Sequence, residues 1–301
     1  MIRVFAVDPS VFSDWSDFLS LKGSFGFSKA RVIAKFPKKW RRLVYDSSVK
    51  LSTMQKKHLE IWLKEAEKFL VNSSVPYDGD TDWLTNAENA GLSDIRPFSS
   101  ILSVRNPNNL SIVIVTNNGI IDNVERFNCP SHVLMPRTSD GYRRVCEPLL
   151  RFAEHTILII DPYFNAEKRY IETIKTLLLC IKCNKKTTDD GINNICIKLF
   201  TTVKPDGSDR YKIDNMKEKF AKLTFNNCRL EILFIKEDKT KFHNRFILTD
   251  RCGINFPWGL DIREDSQPDI VNLMDETTYA VIFEQYNNIN DSEILEKFSF
   301  N

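Results

Sequence analysis

The sequence predicts an α/β protein. Short apolar runs rich in Val and Ile alternate with stretches of helical spacing. From about residue 140 that alternation becomes regular, and strands separated by helices need crossovers that cover both faces of a sheet. Composition agrees with a folded core. Of 301 residues, 42% are hydrophobic and 27% charged, which excludes a largely disordered or fibrous chain. At ~150 residues per domain the length allows two domains.

In chain order, Ile2–Val7 and Ala30–Phe36 read as strands, the second stopped by Pro37. Lys38–Ser47 and Thr53–Val71 read as helices; in the latter Leu59, Trp62, Leu63, Ala66, Phe69 and Leu70 recur at helical spacing. Asn72–Asn89 is polar and reads as a loop. Leu110–Thr116 is a β-branched run that reads as a buried strand, followed by an Asn117-Asn118-Gly119 turn. Then come a helix over Gly141–His155, a strand over Thr156–Asp161 and a helix over Ala166–Lys182. Ile195–Thr202 reads as a strand, Tyr211–Leu223 as a helix and Arg229–Lys236 as a strand. Phe242–Thr249 and Thr277–Glu284 read as further strands, and Ser292–Phe298 as a closing helix. The change of pattern puts the boundary between Ile120 and Gly141. It divides an N-terminal α/β region, 1–130, from a second domain, 131–301.

Charge and cysteine content narrow the function classes. Lys and Arg total 42 and Asp and Glu 40, so a protein coated in positive charge is excluded while a local basic patch is not. Seven cysteines form an odd set, and no apolar leader precedes them; this leads us to expect a reducing, cytoplasmic location. No apolar run approaches the ~18 residues of a membrane span. No Walker-type loop or GxGxxG occurs, which argues against a P-loop or simple dinucleotide site. Cys180-x-x-Cys183 has no second pair beside it and reads as core thiols. His58 and His155 read as solvated or capping, Asp161 before Pro162 as a turn former, and His132 receives no role.

One charged cluster falls inside an expected strand: Phe242-His243-Asn244-Arg245-Phe246-Ile247-Leu248-Thr249-Asp250. Alternation puts His243 and Arg245 on one face, with Asp250 at the strand end. An imidazole can attack phosphorus or move a proton, a guanidinium can grip two phosphate oxygens, and a carboxylate can orient the imidazole. Such a group suits phosphodiester chemistry without a metal or cofactor. The competing reading is a buried ion-pair cluster.

These residues resemble the phospholipase D-like superfamily, whose signature is His-x-Lys, four residues, then Asp. Here it stands as His243-x-Arg245-(four residues)-Asp250. Ile159 to Phe164 (IIDPYF) is similar to that fold's usual first strand. The run-on to Gly259-Leu260-Asp261 is similar to a His-x-Arg form found in bacterial phospholipase D-like proteins. That form also occurs in the lipid-binding C-terminal domain of MIT-domain proteins. The resemblance implies a mixed sheet flanked by helices over about the last 160 residues. It implies His243 as nucleophile or general acid, Arg245 as phosphate ligand and Asp250 as the group that orients His243. Active members carry the motif twice. This chain carries one copy, so the resemblance implies a homodimer that completes the site. The family's Gly-Ser-x-Asn segment is not matched; Asn255 is the nearest candidate for substrate binding. A bacterial or phage-linked origin and a role in defence are suggested by the resemblance alone.

A second feature lies in the N-terminal region. From Lys22 to Arg42 there are eight cations and no Asp or Glu. Lys29, Arg31, Lys35, Lys38, Lys39, Arg41 and Arg42 are the candidate nucleic-acid contacts, with Phe25, Phe27, Phe36 and Trp40 interleaved. A solvated face over an aromatic core is the alternative. The expected function is therefore phosphodiester recognition by a nuclease-like protein, with nucleic acid as the favoured ligand. The rivals are a non-catalytic module that holds phosphate or docks a partner subunit, and a phospholipid-binding module.

Overall fold

A computed structural model of the chain describes residues 1–182, 195–223, 228–237, 244–263, 265 and 267–300. They form two compact units, Ile2–Pro130 and Ser131–Asn301. Both are mixed α/β, with helices flanking a sheet.

The N-terminal unit contains β1 (Arg3–Val7), α1 (Trp15–Leu21), β2 (Arg31–Lys35), α2 (Trp40–Ser47), α3 (Thr53–Glu65) and β3 (Leu70–Asn72). It continues with α4 (Trp83–Leu92), β4 (Ser100–Ser103), β5 (Val113–Asn117), β6 (Ile120–Ile121) and the short α5 (Val124–Phe127). The sheet order is β3-β2-β1-β4-β5-β6; β1 to β5 are parallel and β6 is antiparallel. Period-two alternation divides the core. Phe5 and Val7 face Phe12, Phe18, Trp40 and Trp62. Ala6 faces the other way, toward Leu84, Ala87 and Ile101. Two indoles are anchored as buried rings require: Trp40 Nε1 donates to Val7 O at 2.6 Å and Trp62 Nε1 to Lys22 O at 2.8 Å.

Two expectations fail in this unit. The helix expected over Thr53–Val71 ends at Glu65, because Leu70 and Val71 pair in parallel with Ile33 and Ala34. The loop expected over Asn72–Asn89 gives way to α4 at Trp83. The Asp82 carboxylate caps that helix, accepting from Leu84 N and Thr85 N.

The C-terminal unit contains β7 (His132–Met135), α6 (Ser139–Leu150), β8 (Thr156–Ile160), α7 (Lys168–Lys182), β9 (Ile195–Val203) and α8 (Arg210–Phe220). It continues with β10 (Cys228–Lys236), β11 (Phe246–Thr249), β12 (Gly253–Asn255), β13 (Asp269–Leu273), α9 (Glu276–Asn287) and β14 (Ile294–Phe300). The sheet order is β14-β10-β9-β8-β11-β12-β13-β7. Strands β8, β9 and β10 are parallel, while β11, β12, β13 and β7 are antiparallel neighbours. One face buries Leu158, Ile160, Phe200, Phe246 and Leu248 against α9. The other gathers Ile157, Ile159 and Ile197 with Leu150 of α6 and Ile174 and Leu177 of α7.

Two further expectations are corrected here. Thr277–Glu284, read as a strand from its β-branched residues, lies in α9. Asp275 caps that helix by accepting from Thr278 N. Tyr279, Ile282, Phe283 and Tyr286 then fall at helical spacing against the sheet. Of Ser292–Phe298, read as a helix, only Ser292 and Glu293 lie in a helical turn, a short 3-10 one; the rest lies in β14, which pairs antiparallel with β10. Strand β11 begins at Phe246; Phe242 and His243 lie outside the described residues.

Candidate functional site

The charged chemistry of the C-terminal unit collects at the carboxyl end of β8. Asp161 follows that strand directly and is fully buried. Its Oδ1 accepts from Tyr163 N at 2.9 Å and its Oδ2 from Leu260 N at 3.0 Å. Burial raises its pKa, opposed by those two amides and by Arg245. Arg245 reaches the same end because β11 runs antiparallel to β8, with Phe246 opposite Ile160. Its Nε lies 3.9 Å from Asp161 Oδ1, and its Nη1 donates to Pro257 O at 2.9 Å. Nε itself is buried without a hydrogen-bond partner among the described residues.

Gly259-Leu260-Asp261 forms the opposite wall. Gly259 adopts φ +114°, and a Cβ there would stand 3.2 Å from Asp261 Oδ1. Its carbonyl accepts from Tyr142 Oη at 3.0 Å. Asp261 is 2% exposed and holds three guanidinium groups: Arg137, buried with it, Arg169 at 2.9 Å and Arg263 at 2.6 Å. Asp269 lies close enough to Arg137 and Arg245 to feel both, and burial raises its pKa. From α8, Lys212 Nζ donates to Thr201 Oγ1 at 3.0 Å and Thr202 O at 2.9 Å. Burial lowers its pKa to about 8. Arg137, Arg169, Arg245 and Arg263 thus share this region with the buried carboxylates Asp161, Asp261 and Asp269 and the exposed Glu167, while Lys212 lies near Asp161, Asp209 and Glu237. Among the described residues the ion-pair contact of Arg245 is the long one to Asp161 at 3.9 Å, so of these guanidinium groups it is the one best placed to take an anion.

The structure separates residues that the motif places side by side. Asp250 stands at the far end of β11 from Arg245, roughly 16 Å away at ~3.3 Å per residue. Its carboxylate accepts from Glu154 N at 2.9 Å and His155 N at 3.2 Å, so it fixes the entry to β8. Asn255 pairs with Phe246, whose side chain belongs to the α9 face; alternation puts Arg245 on the other face. His243 lies outside the described residues, as does Cys183; Cys180 is a buried thiol.

Glu154, His155 and Asp250 have ligand-type atoms within 4.8 Å of one another. Asp250 is already held by backbone amides and Glu154 by Arg251. Arg137, Arg169 and Asp269 carry no signal in the sequence; Asp161, read as a turn former, does accept from Tyr163 N and is also a member of the cluster. The usable signal was the Gly259-Leu260-Asp261 triplet, whose carboxylate is the hub of the cluster.

The basic run of the N-terminal unit is largely engaged with its own neighbours. Lys29 Nζ donates to Gly23 O. Arg31 donates to Ser24 O at 2.7 Å and Phe127 O at 3.2 Å and lies 4.7 Å over the Phe127 ring. Lys35 and Arg41 share Glu67 at 3.0 and 3.2 Å, and Arg42 pairs with Asp46 at 3.5 Å. Lys38 and Lys39 are exposed. The interleaved Phe25, Phe27, Phe36 and Trp40 are all buried. Those rings pack in the core and offer no face to a base.

No family model matches the chain. No curated protein matches it. A solved structure to which it is similar is TrmBL2, an archaeal chromatin protein described as showing a novel mode of DNA binding. The two are 17% identical with a TM-score of 0.27; the match covers 54% of this chain and 52% of that one. It spans about half of each protein, and a likeness that slight assigns neither fold nor function. Among the described residues no helix is long and apolar enough to cross a membrane.

Proposed function

We propose that the C-terminal unit is a phosphodiester-recognising module of the phospholipase D-like kind, that nucleic acid is its ligand, and that Arg245 is its phosphate contact. The observation that carries this is Arg245 itself. Its side chain is 22% exposed, its ion-pair contact with Asp161 is a long 3.9 Å, and its Nε has no hydrogen-bond partner among the described residues. A guanidinium so placed, with Nη1 already donating to Pro257 O, offers its remaining N–H donors to a phosphate oxygen, and a charge-assisted bond there is stronger than a neutral one.

In the enzymatic form of this reading His243, two residues before Arg245 in sequence, attacks phosphorus to form a phosphohistidine as the P–O bond to the leaving oxygen breaks; the His243 of a second copy protonates that oxygen, and water then hydrolyses the phosphohistidine. A non-catalytic form is favoured by one observation: the motif's Asp250 is committed to the amides of Glu154 and His155 at the other end of β11. Binding and cleavage of labelled single- and double-stranded DNA and RNA, in EDTA, separate the forms. The reading predicts at least tenfold weaker binding for Arg245→Ala. Cleavage lost in His243→Ala marks the enzyme. Binding without cleavage by wild type or variant marks the module. Binding unchanged in Arg245→Ala sinks both.

A further inference from the structure

Two large aromatic side chains on the segments that Arg245 contacts are turned to solvent. Tyr163 is 50% exposed and Trp258 is 71% exposed. Both are fixed at their backbones by buried carboxylates. Asp161 Oδ1 accepts from Tyr163 N at 2.9 Å, and Asp269 Oδ2 accepts from Trp258 N at 3.3 Å. Arg245 ties the two segments together. Its guanidinium lies 4.9 Å from the centre of the Tyr163 ring, and its Nη1 donates to Pro257 O, the carbonyl that precedes Trp258. Exposed rings are commonly mobile; here the chain on which each sits is pinned to an electrostatic core. Such a surface presents the Tyr163 ring within reach of the Arg245 guanidinium, with the exposed Trp258 on the neighbouring segment.

We propose that this surface is a base-stacking platform and that the site takes single-stranded nucleic acid. The proposal rests on the phosphodiester reading above and adds a ligand class to it. A phospholipid headgroup brings a phosphodiester without an aromatic ring. A duplex keeps its bases stacked on one another, out of reach of Tyr163. Only an unpaired strand carries both a backbone phosphate for Arg245 and a free base for the adjacent ring. Stacking on such a ring tolerates any base, so the platform selects strand form and not sequence.

The test uses the full chain and three fluorescent probes of one length: oligo(dT), the same backbone with abasic sites throughout, and a duplex. Anisotropy titrations at one salt concentration compare wild type with Tyr163→Ala, Tyr163→Phe and Trp258→Ala, each checked for an unchanged melting temperature. Oligo(dT) is expected to bind about tenfold more tightly than the abasic strand, a typical worth of one stacked base. Tyr163→Ala is expected to erase most of that difference, weakening oligo(dT) far more than the abasic strand. Tyr163→Phe, which keeps the ring, is expected to restore it. Equal binding of all three probes, unchanged in Tyr163→Ala, overturns the platform and leaves the phosphodiester reading standing. Failure of wild type to bind any of them overturns both.

Discussion

The basic run of the N-terminal unit and the cluster at the carboxyl end of β8 are both rich in cations, yet the two regions treat charge oppositely. In the run, half-buried Lys35 and exposed Arg41 and Arg42 lean on exposed carboxylates, Arg31 is engaged by backbone carbonyls, and the aromatics form the core. In the cluster the carboxylates of Asp161, Asp261 and Asp269 are buried and the aromatics Tyr163 and Trp258 are outside. Density of basic residues in a sequence therefore says little about binding. What matters is whether the counter-charges are buried, because a buried carboxylate fixes its guanidinium partners in place, while a surface pair constrains little.

The largest way to break this contrast is to remove a counter-charge from each region. Asp261→Ala leaves Arg137, 4% exposed, without its carboxylate. It is expected to cost about 3–5 kcal/mol. Glu67→Gln, on the surface, is expected to cost about 1 kcal/mol or less. Urea unfolding checks both, with hydrogen exchange assigning the loss to residues 131–301 or 2–130.

A comparable but pH-dependent effect is expected from Lys212. Its pKa falls from 10.5 to about 8 on folding because burial disfavours the ammonium. Between those values the unfolded chain holds a proton that the folded protein has released. Stability from this group therefore rises with pH from about 8 to 10.5 and is flat on either side. The full change is about 3 kcal/mol at ~1.4 kcal/mol per unit. Lys212→Met is expected to flatten that rise in melts taken across the window. The smallest effect belongs to the run: Lys38→Ala with Lys39→Ala should shift stability by no more than about 0.5 kcal/mol, measured by thermal melts.

The α/β alternation was legible because hydrophobic period is local, and β1, β2, β8, β9 and β10 lie where it put them. It failed where pairing or capping outweighed propensity, as in Leu70–Asn72 and in α9. Arg245 was legible at the site because a short strand carries it there. The partners of Arg245 were not, since Asp161 and Asp269 are 108 positions apart in the chain and meet only through the sheet order. Asp250 was misleading for the same reason. Sequence spacing fixed its distance along β11, and only the antiparallel partner β8 revealed that its carboxylate serves the strand's other end.

The most direct test of this contrast is one binding experiment on three proteins. Anisotropy of a labelled single strand is measured against wild type, Arg245→Ala and the double variant Lys35→Ala with Arg41→Ala. The account predicts at least tenfold weaker binding for Arg245→Ala and a change of no more than about threefold for the double variant. Full affinity in Arg245→Ala, with loss in the double variant, would contradict it and move the nucleic-acid surface to the N-terminal unit.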